Sequence, residues 1–260
     1  MSEFLQLQLL AILQGLTEFL PVSSSGHLAL LQNHLTIGDM ADGPLLEILL
    51  HGGTLIAVLW FYRKRILQLL QGLCRKDPDA WKYSLLIVIA CIPAGIVYFL
   101  AHDAIESAFD SPKAIGAFLV VTGLALLSLR FKKGLDGDAP TWKKALGIGI
   151  AQALAILPGI SRSGSTYTAA RWLNVSSKEA FDFSFLASVP LIGGAIILKF
   201  RHFSELTANG NTPGLVVATI LSAIVGYAAL WGLSKLRFLG KFWVFGIYCL
   251  AIGVLALLFA

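Results

Sequence analysis

Gln14-Gly15-Leu16-Thr17-Glu18-Phe19-Leu20-Pro21-Val22-Ser23-Ser24-Ser25-Gly26-His27 decides how this chain is read. It carries an acid, an imidazole and three serines at the end of an apolar run from Phe4 to Thr17. Proline removes an amide donor and glycine weakens a helix, so the run is not expected to continue straight through. Pro158-Gly159-Ile160-Ser161-Arg162-Ser163-Gly164-Ser165 repeats the pattern after a second short run, Ala145 to Leu157. Each run is expected to be a half-helix that breaks in its loop and turns back. Irregular backbone at membrane depth must be buried in protein or line a wet cavity, so the two loops are expected to share one.

The rest of the chain supplies the membrane. Of 260 residues, 57% are hydrophobic and 13% charged, about half the usual charged fraction of about 25%. That excludes a soluble protein and any large extramembrane domain, and predicts a single membrane domain over 1–260. The net charge of +5 comes from basic residues clustered between apolar runs, which argues for topology and against nucleic-acid binding. Cys74, Cys91 and Cys249 form no pair or metal-binding spacing and are expected to be packing thiols. Glu3 stands where a secretory signal would carry a cation, so the first apolar segment is expected to stay in the mature protein.

Tyr83 to Ala101, Pro213 to Ser234 and Phe242 to Ala260 contain no formal charge and are long enough to cross a bilayer. Ile48 to Tyr62, Ala114 to Leu129 and Phe183 to Leu198 are somewhat shorter helical runs, giving about six crossings. Six basic residues between Tyr62 and Lys82, and five between Arg130 and Lys144, place both loops in the cytoplasm. His102 to Pro112 carries only acids and should lie outside. Ser234 to Lys241 is basic again, which makes the loop near Arg201 external.

A shift of 138 positions aligns Gln14 with Gln152, Ser23 with Ser161, Ser25 with Ser163, Gly26 with Gly164 and Arg63 with Arg201, and a register near 130 places Gly123 on Gly253. Repeat one is expected over roughly 1–130 and repeat two over roughly 140–260. Arg63 and Arg201 fall on opposite faces, so the repeat is inverted. The expected fold is an all-α polytopic membrane protein, an inverted-topology repeat with about six transmembrane helices and two re-entrant broken-helix pairs. Such folds build a binding site near the midplane.

Ionised side chains are expensive in a bilayer and mark function. Glu18 precedes the first loop, His27 ends it, and Arg162 lies in the second. The planar fork of Arg162 suits two oxygens of a phosphate or carboxylate, and amides at a half-helix N-terminus add donors. Glu18 could hold a divalent cation or orient His27, and a loop serine could attack phosphorus with His27 taking its proton. Gln14, one turn before Glu18, offers a neutral second ligand. The structural alternative is a buried Glu18–Arg162 ion pair with the serines capping broken helices. His34, His102 and His202 read as interfacial, and His51 could line the cavity from a neighbouring helix. Glu47 and Asp182 read as helix-dipole partners or solvent-reaching groups.

The two signatures, with Leu50-His51-Gly52-Gly53-Thr54-Leu55, Cys91-Ile92-Pro93-Ala94-Gly95 and Phe183-Ser184-Phe185-Leu186-Ala187-Ser188-Val189-Pro190, closely resemble the bacitracin-resistance type undecaprenyl-diphosphate phosphatases along the whole chain. The resemblance implies an inner-membrane enzyme that converts undecaprenyl diphosphate to the monophosphate carrier and inorganic phosphate, with its pocket open to the periplasmic or outer side. It implies dependence on a divalent cation, Mg2+ or Ca2+, with Glu18 and Gln14 as its expected ligands. The family often has glutamate at the position of Gln14, which puts direct ligation there in doubt. Carried across, the catalytic set is Glu18, Ser24, His27 and Arg162, and the substrate-binding set is Ser23, Ser25, Gly26, Ser161, Ser163 and Gly164. Ser24, His27 and a directly activated water all stay open as nucleophile.

The expected partners are the polyprenyl diphosphate and the surrounding lipids, with a homodimer allowed and no nucleic acid. The competing reading is a lipid-carrier transporter or flippase that uses the same inverted-repeat cavity.

Overall fold

In the computed structural model, described over residues 2–32, 44–199 and 212–259, every named element is a helix. His34, Arg201 and His202 lie outside the described residues, as do the side chains of Glu47 and His102.

Local chemistry sets the helix ends. The first helix, α1 (Glu3–Phe19), stops because Leu20 precedes a proline and is driven extended, at φ −60° and ψ 141°. Ser23 follows at φ +69°, and α2 (Ser24–Gln32) starts at once. After α3 (Pro44–Phe61) and α4 (Arg63–Cys74), the Asp77 carboxylate accepts the Asp79 amide at 3.1 Å and Pro78 opens α5 (Pro78–Leu100). The short α6 (His102–Phe109) leads to Ser111, which caps α7 (Pro112–Ser128) in the same way. The second half runs through α8 (Trp142–Leu154), α9 (Arg162–Trp172), α10 (Ser177–Lys199), α11 (Thr212–Leu236) and α12 (Val244–Phe259).

The stretches 78–100, 112–131, 177–198 and 213–236 are long and apolar enough to cross a membrane. The apolar helices of α1, α3 and α12 are shorter. Within Phe242 to Ala260, Phe242 and Trp243 lie in a turn and Val244–Phe259 is helical. Phe183 to Leu198 sits inside a 23-residue helix, since α10 begins at Ser177. Leu85, Val88, Ile92 and Ile96 leave one face of α5 exposed, as do Ile220, Ile224 and Trp231 on α11. Apolar stripes of that extent need lipid against them.

Packing crosses between the halves. Along the chain's two broken segments, α1 lies on α11 and α8 on α5, while α3 contacts α10 and α7 contacts α12. The α7–α12 contact is backbone on backbone: a Cβ at Gly123 would sit 2.9 Å from the Gly246 carbonyl oxygen, and one at Gly116 would sit 2.9 Å from that of Gly253. Only glycine permits that approach.

The basic loops gather at one end. Arg171, 2% exposed, donates to the carbonyls of Gly134, Leu135, Asp136 and Val175. Lys144 donates to exposed Asp138 at 2.8 Å and holds its carboxyl below the usual range. A cleft of about 380 Å³ lies between Arg65, Lys82 and Tyr83 on one side and Pro140 and Glu179 on the other. Asp182, partly exposed near the start of α10, accepts from Tyr62 at 3.0 Å and Arg237 at 2.9 Å.

Candidate active site

The two broken segments meet. Gly26 lies against Gly159, where an added Cβ would come within 2.9 Å of the Gly159 Cα. The Ser23 hydroxyl accepts the Gly159 amide at 3.1 Å, and Ser163 donates to the Leu20 carbonyl at 3.2 Å. Gly159 itself has φ +99°, a conformation that a side chain would strain.

Both loops are shorter than expected. Ser24 to His27 already form the start of α2, and Arg162 to Ser165 form the start of α9, so His27 and Arg162 stand on helices. The reason is capping: the Ser161 hydroxyl accepts the Gly164 amide at 3.1 Å, and the Ser23 hydroxyl faces the Gly26 amide at 3.4 Å. Aligned serines thus do the same work in both halves. Two helix N-termini, each with first-turn amides lacking an intrahelical acceptor, open side by side.

Glu18 is the hub and is 8% exposed. Its Oε1 accepts from Arg162 Nη2 at 2.8 Å; its Oε2 accepts from the Ser24 hydroxyl at 2.7 Å and from Gln14 Nε2 at 3.1 Å. His51 Nε2 stands 3.6 Å from the same oxygen, so the neighbouring helix does reach the site. Carboxylate and guanidinium are joined across 144 positions of sequence, and the Arg162 guanidinium also sits 6.0 Å over the Phe185 ring. Two buried polar atoms here have no partner: Arg162 Nη1, a donor, and Gln14 Oε1, an acceptor. Orphaned polar atoms are costly without a ligand to satisfy them.

His27 is 9% exposed and faces elsewhere. Its Nδ1 lies 2.7 Å from the Ser23 carbonyl oxygen and its Nε2 lies 2.8 Å from the Tyr248 hydroxyl. Ser24 is therefore paired with Glu18 and not with the imidazole. Ser25 contacts the Ser23 hydroxyl at 3.4 Å, and the Ser161 and Ser163 hydroxyls are 3.3 Å apart.

Two contributors escaped sequence reasoning. Thr122, buried in α7, donates to the Gly159 carbonyl at 2.8 Å and accepts the Ser161 amide at 3.0 Å. Tyr248 reaches His27 from α12. The available signal was a hydroxyl in the middle of each of two strongly apolar helices.

A divalent cation would need hard oxygen donors. Among the described residues no group of three or more His, Cys, Asp or Glu could hold a metal ion. Gln14 Oε1 and the Glu18 carboxylate fit one only if phosphate oxygens or water complete its shell.

Comparison with known proteins identifies the family. The sequence profile described as bacitracin resistance protein BacA matches residues 7–255. The chain is 41% identical to an undecaprenyl-diphosphatase of Desulfatibacillum aliphaticivorans, with 98% of each chain covered. It is 34% identical to that of Salinibacter ruber and 36% identical to undecaprenyl-diphosphatase 1 of Bacillus cereus, each with 96% of both chains covered.

Proposed function

Because this chain belongs to the bacitracin resistance protein BacA family, we propose that it removes the terminal phosphate of undecaprenyl diphosphate, and that Glu18, Ser24 and Arg162 carry the transfer. It is a membrane phosphatase that returns undecaprenyl phosphate to cell-wall synthesis, the activity that underlies bacitracin resistance.

The carrying observation is one carboxylate that accepts both the Ser24 hydroxyl and the Arg162 guanidinium. The diphosphate lies across the paired helix N-termini, with terminal oxygens on Arg162 Nη1 and the first-turn amides. The Ser24 oxygen attacks the terminal phosphorus while its proton passes to Glu18. The new Oγ–P bond forms as the bridging P–O bond breaks, and the departing undecaprenyl phosphate takes up the proton. Water then attacks the phosphoserine and gives its proton to Glu18, which returns it to the leaving Ser24 oxygen as inorganic phosphate departs. Arg162 is positioned to offset charge developing on the transferred group. Glu18 and Gln14 would hold a divalent cation, Mg2+ or Ca2+. When bound, it neutralises part of the diphosphate charge.

In this reading α3 and α12 join the four long spans to make six crossings, and α1–α2 and α8–α9 are re-entrant pairs of an inverted repeat. Reciprocity supports it: α1 on α11 mirrors α8 on α5. Adding 130 to 116 and 123 gives 246 and 253, so the two glycine contacts exchange under the repeat. The basic loops at one end make that end cytoplasmic, in the plasma membrane, with the pocket open to the outer side. Transport through the same cavity is not favoured, since a carrier has no use for a serine held against an acid.

The test is phosphate release from a prenyl diphosphate by purified protein in detergent. Cation-dependent release that stops on chelation and is lost in Arg162→Ala is expected; release retained by folded Arg162→Ala would overturn the assignment.

A further inference from the structure

Tyr248 lies in α12, whose other residues are all apolar, yet its hydroxyl reaches His27 Nε2 at 2.8 Å. The two rings stack, with centroids 5.6 Å apart and planes 8° from parallel. On the far side of the imidazole, Nδ1 lies 2.7 Å from the Ser23 carbonyl oxygen. A carbonyl only accepts, so Nδ1 carries a proton, and in the neutral ring the lone pair of Nε2 receives the tyrosine O–H. One residue along, the Cys249 thiol donates to the Pro21 carbonyl at 3.6 Å. The turn between α1 and α2 is thus gripped twice from α12.

That turn needs holding. Ser23 sits at φ +69°, a conformation costly for a residue with a Cβ, and the next residue is Ser24. The place of α12 is set by its glycine contacts with α7, and α7 sends Thr122 to the other turn. One helix pair therefore braces both turns.

We propose that Tyr248 is a positioning residue for the reaction: it fixes the tautomer and orientation of His27, and through the Ser23 carbonyl the backbone that presents the Ser24 hydroxyl to Glu18. The proposal rests on the phosphatase reading above. It makes His27 a strut of the turn, with both ring nitrogens engaged, and leaves proton acceptance to Glu18.

Tyr248→Phe keeps the stacked ring and removes only the donor. With 15N-labelled histidine in detergent-solubilised full-length protein, the His27 signals are identified by their loss in His27→Gln. The unsubstituted protein should show a neutral ring protonated at Nδ1. Tyr248→Phe should shift the Nε2 signal and lower kcat for phosphate release about 10-fold, the scale of one hydrogen bond, with KM within about 2-fold. If that variant misfolds, 3-fluorotyrosine at position 248 keeps ring and hydroxyl and must shift the same nitrogen. An unmoved Nε2 signal, or a full kcat beside a moved one, overturns the proposal. Absence of phosphate release by the unsubstituted protein sinks the phosphatase reading instead, whatever the nitrogen signal shows.

Discussion

The Ser24 hydroxyl donates to Glu18 Oε2 at 2.7 Å, while the other oxygen of the same carboxylate holds Arg162 at 2.8 Å. A nucleophile candidate and an anion-binding cation thus share one acid. The pairing makes Glu18 responsible both for the proton of Ser24 and for the aim of Arg162.

Ser24→Ala should lose at least about 10³-fold in kcat, because it removes the attacking atom. Its melting temperature should stay close to that of the unsubstituted protein, since Glu18 keeps its bonds to Arg162 and Gln14. Near-normal turnover by Ser24→Ala would point to direct attack by water.

Arg162→Lys keeps the charge but not the fork, so it cannot hold Glu18 and phosphate together as the guanidinium does. A fall of about 10²-fold in kcat is expected. Arg162→Ala leaves Glu18 buried without its cation, which costs about 3 to 5 kcal/mol, and Glu18→Gln in the same chain should restore much of that stability without restoring phosphate release. Thermal unfolding of the single and double variants, beside the release assay, separates folding from catalysis.

Gln14→Glu would place a second carboxylate beside Glu18. The divalent cation concentration giving half-maximal release should then fall about 10-fold, since charge count tunes affinity at oxygen sites. An unchanged requirement in a titration after chelator treatment would exclude position 14 from the cation's shell.

Thr122→Val keeps the shape of the side chain and deletes both hydrogen bonds to the second turn. The Gly159 carbonyl and Ser161 amide would be left buried and unpaired, at about 1 to 3 kcal/mol each. Lower thermal stability is expected, with accelerated hydrogen exchange around Ser161.

Gly123→Leu drives a side chain into the Gly246 carbonyl, so α12 must move off α7. Stability should drop by several kcal/mol, on the order of 3 or more, and the His27–Tyr248 contact should open. A normal His27 nitrogen spectrum in that variant would show that α12 is held by something other than its glycines.

Much of this site was legible in the residues. Proline, glycine and serine at 20–27 and 158–165 announce a broken helix by local rules, and Glu18 and Arg162 stand out because charge is costly in lipid. Loop length is not legible, for an equally local reason. Ser23 and Ser161 cap so effectively that the following residues are helical, although a serine-rich run predicts a loop. Sequence spacing offers His27 as the proton acceptor for a loop serine, because it is the nearest basic group along the chain. The structure instead pairs Ser24 with Glu18, across the turn.

The amino-acid order alone determined the solvent, the helical class, the two breaks and the short list of polar residues, because each follows from composition or spacing within one helical turn or one bilayer thickness. Tertiary structure decided which of those residues touch. Arg162 finds Glu18 across 144 positions and Tyr248 finds His27 across 221, and the closeness of α7 and α12 depends on glycines in separate halves meeting face to face. No local rule encodes such meetings, since they arise only when the whole bundle packs and every buried polar atom must settle on a partner.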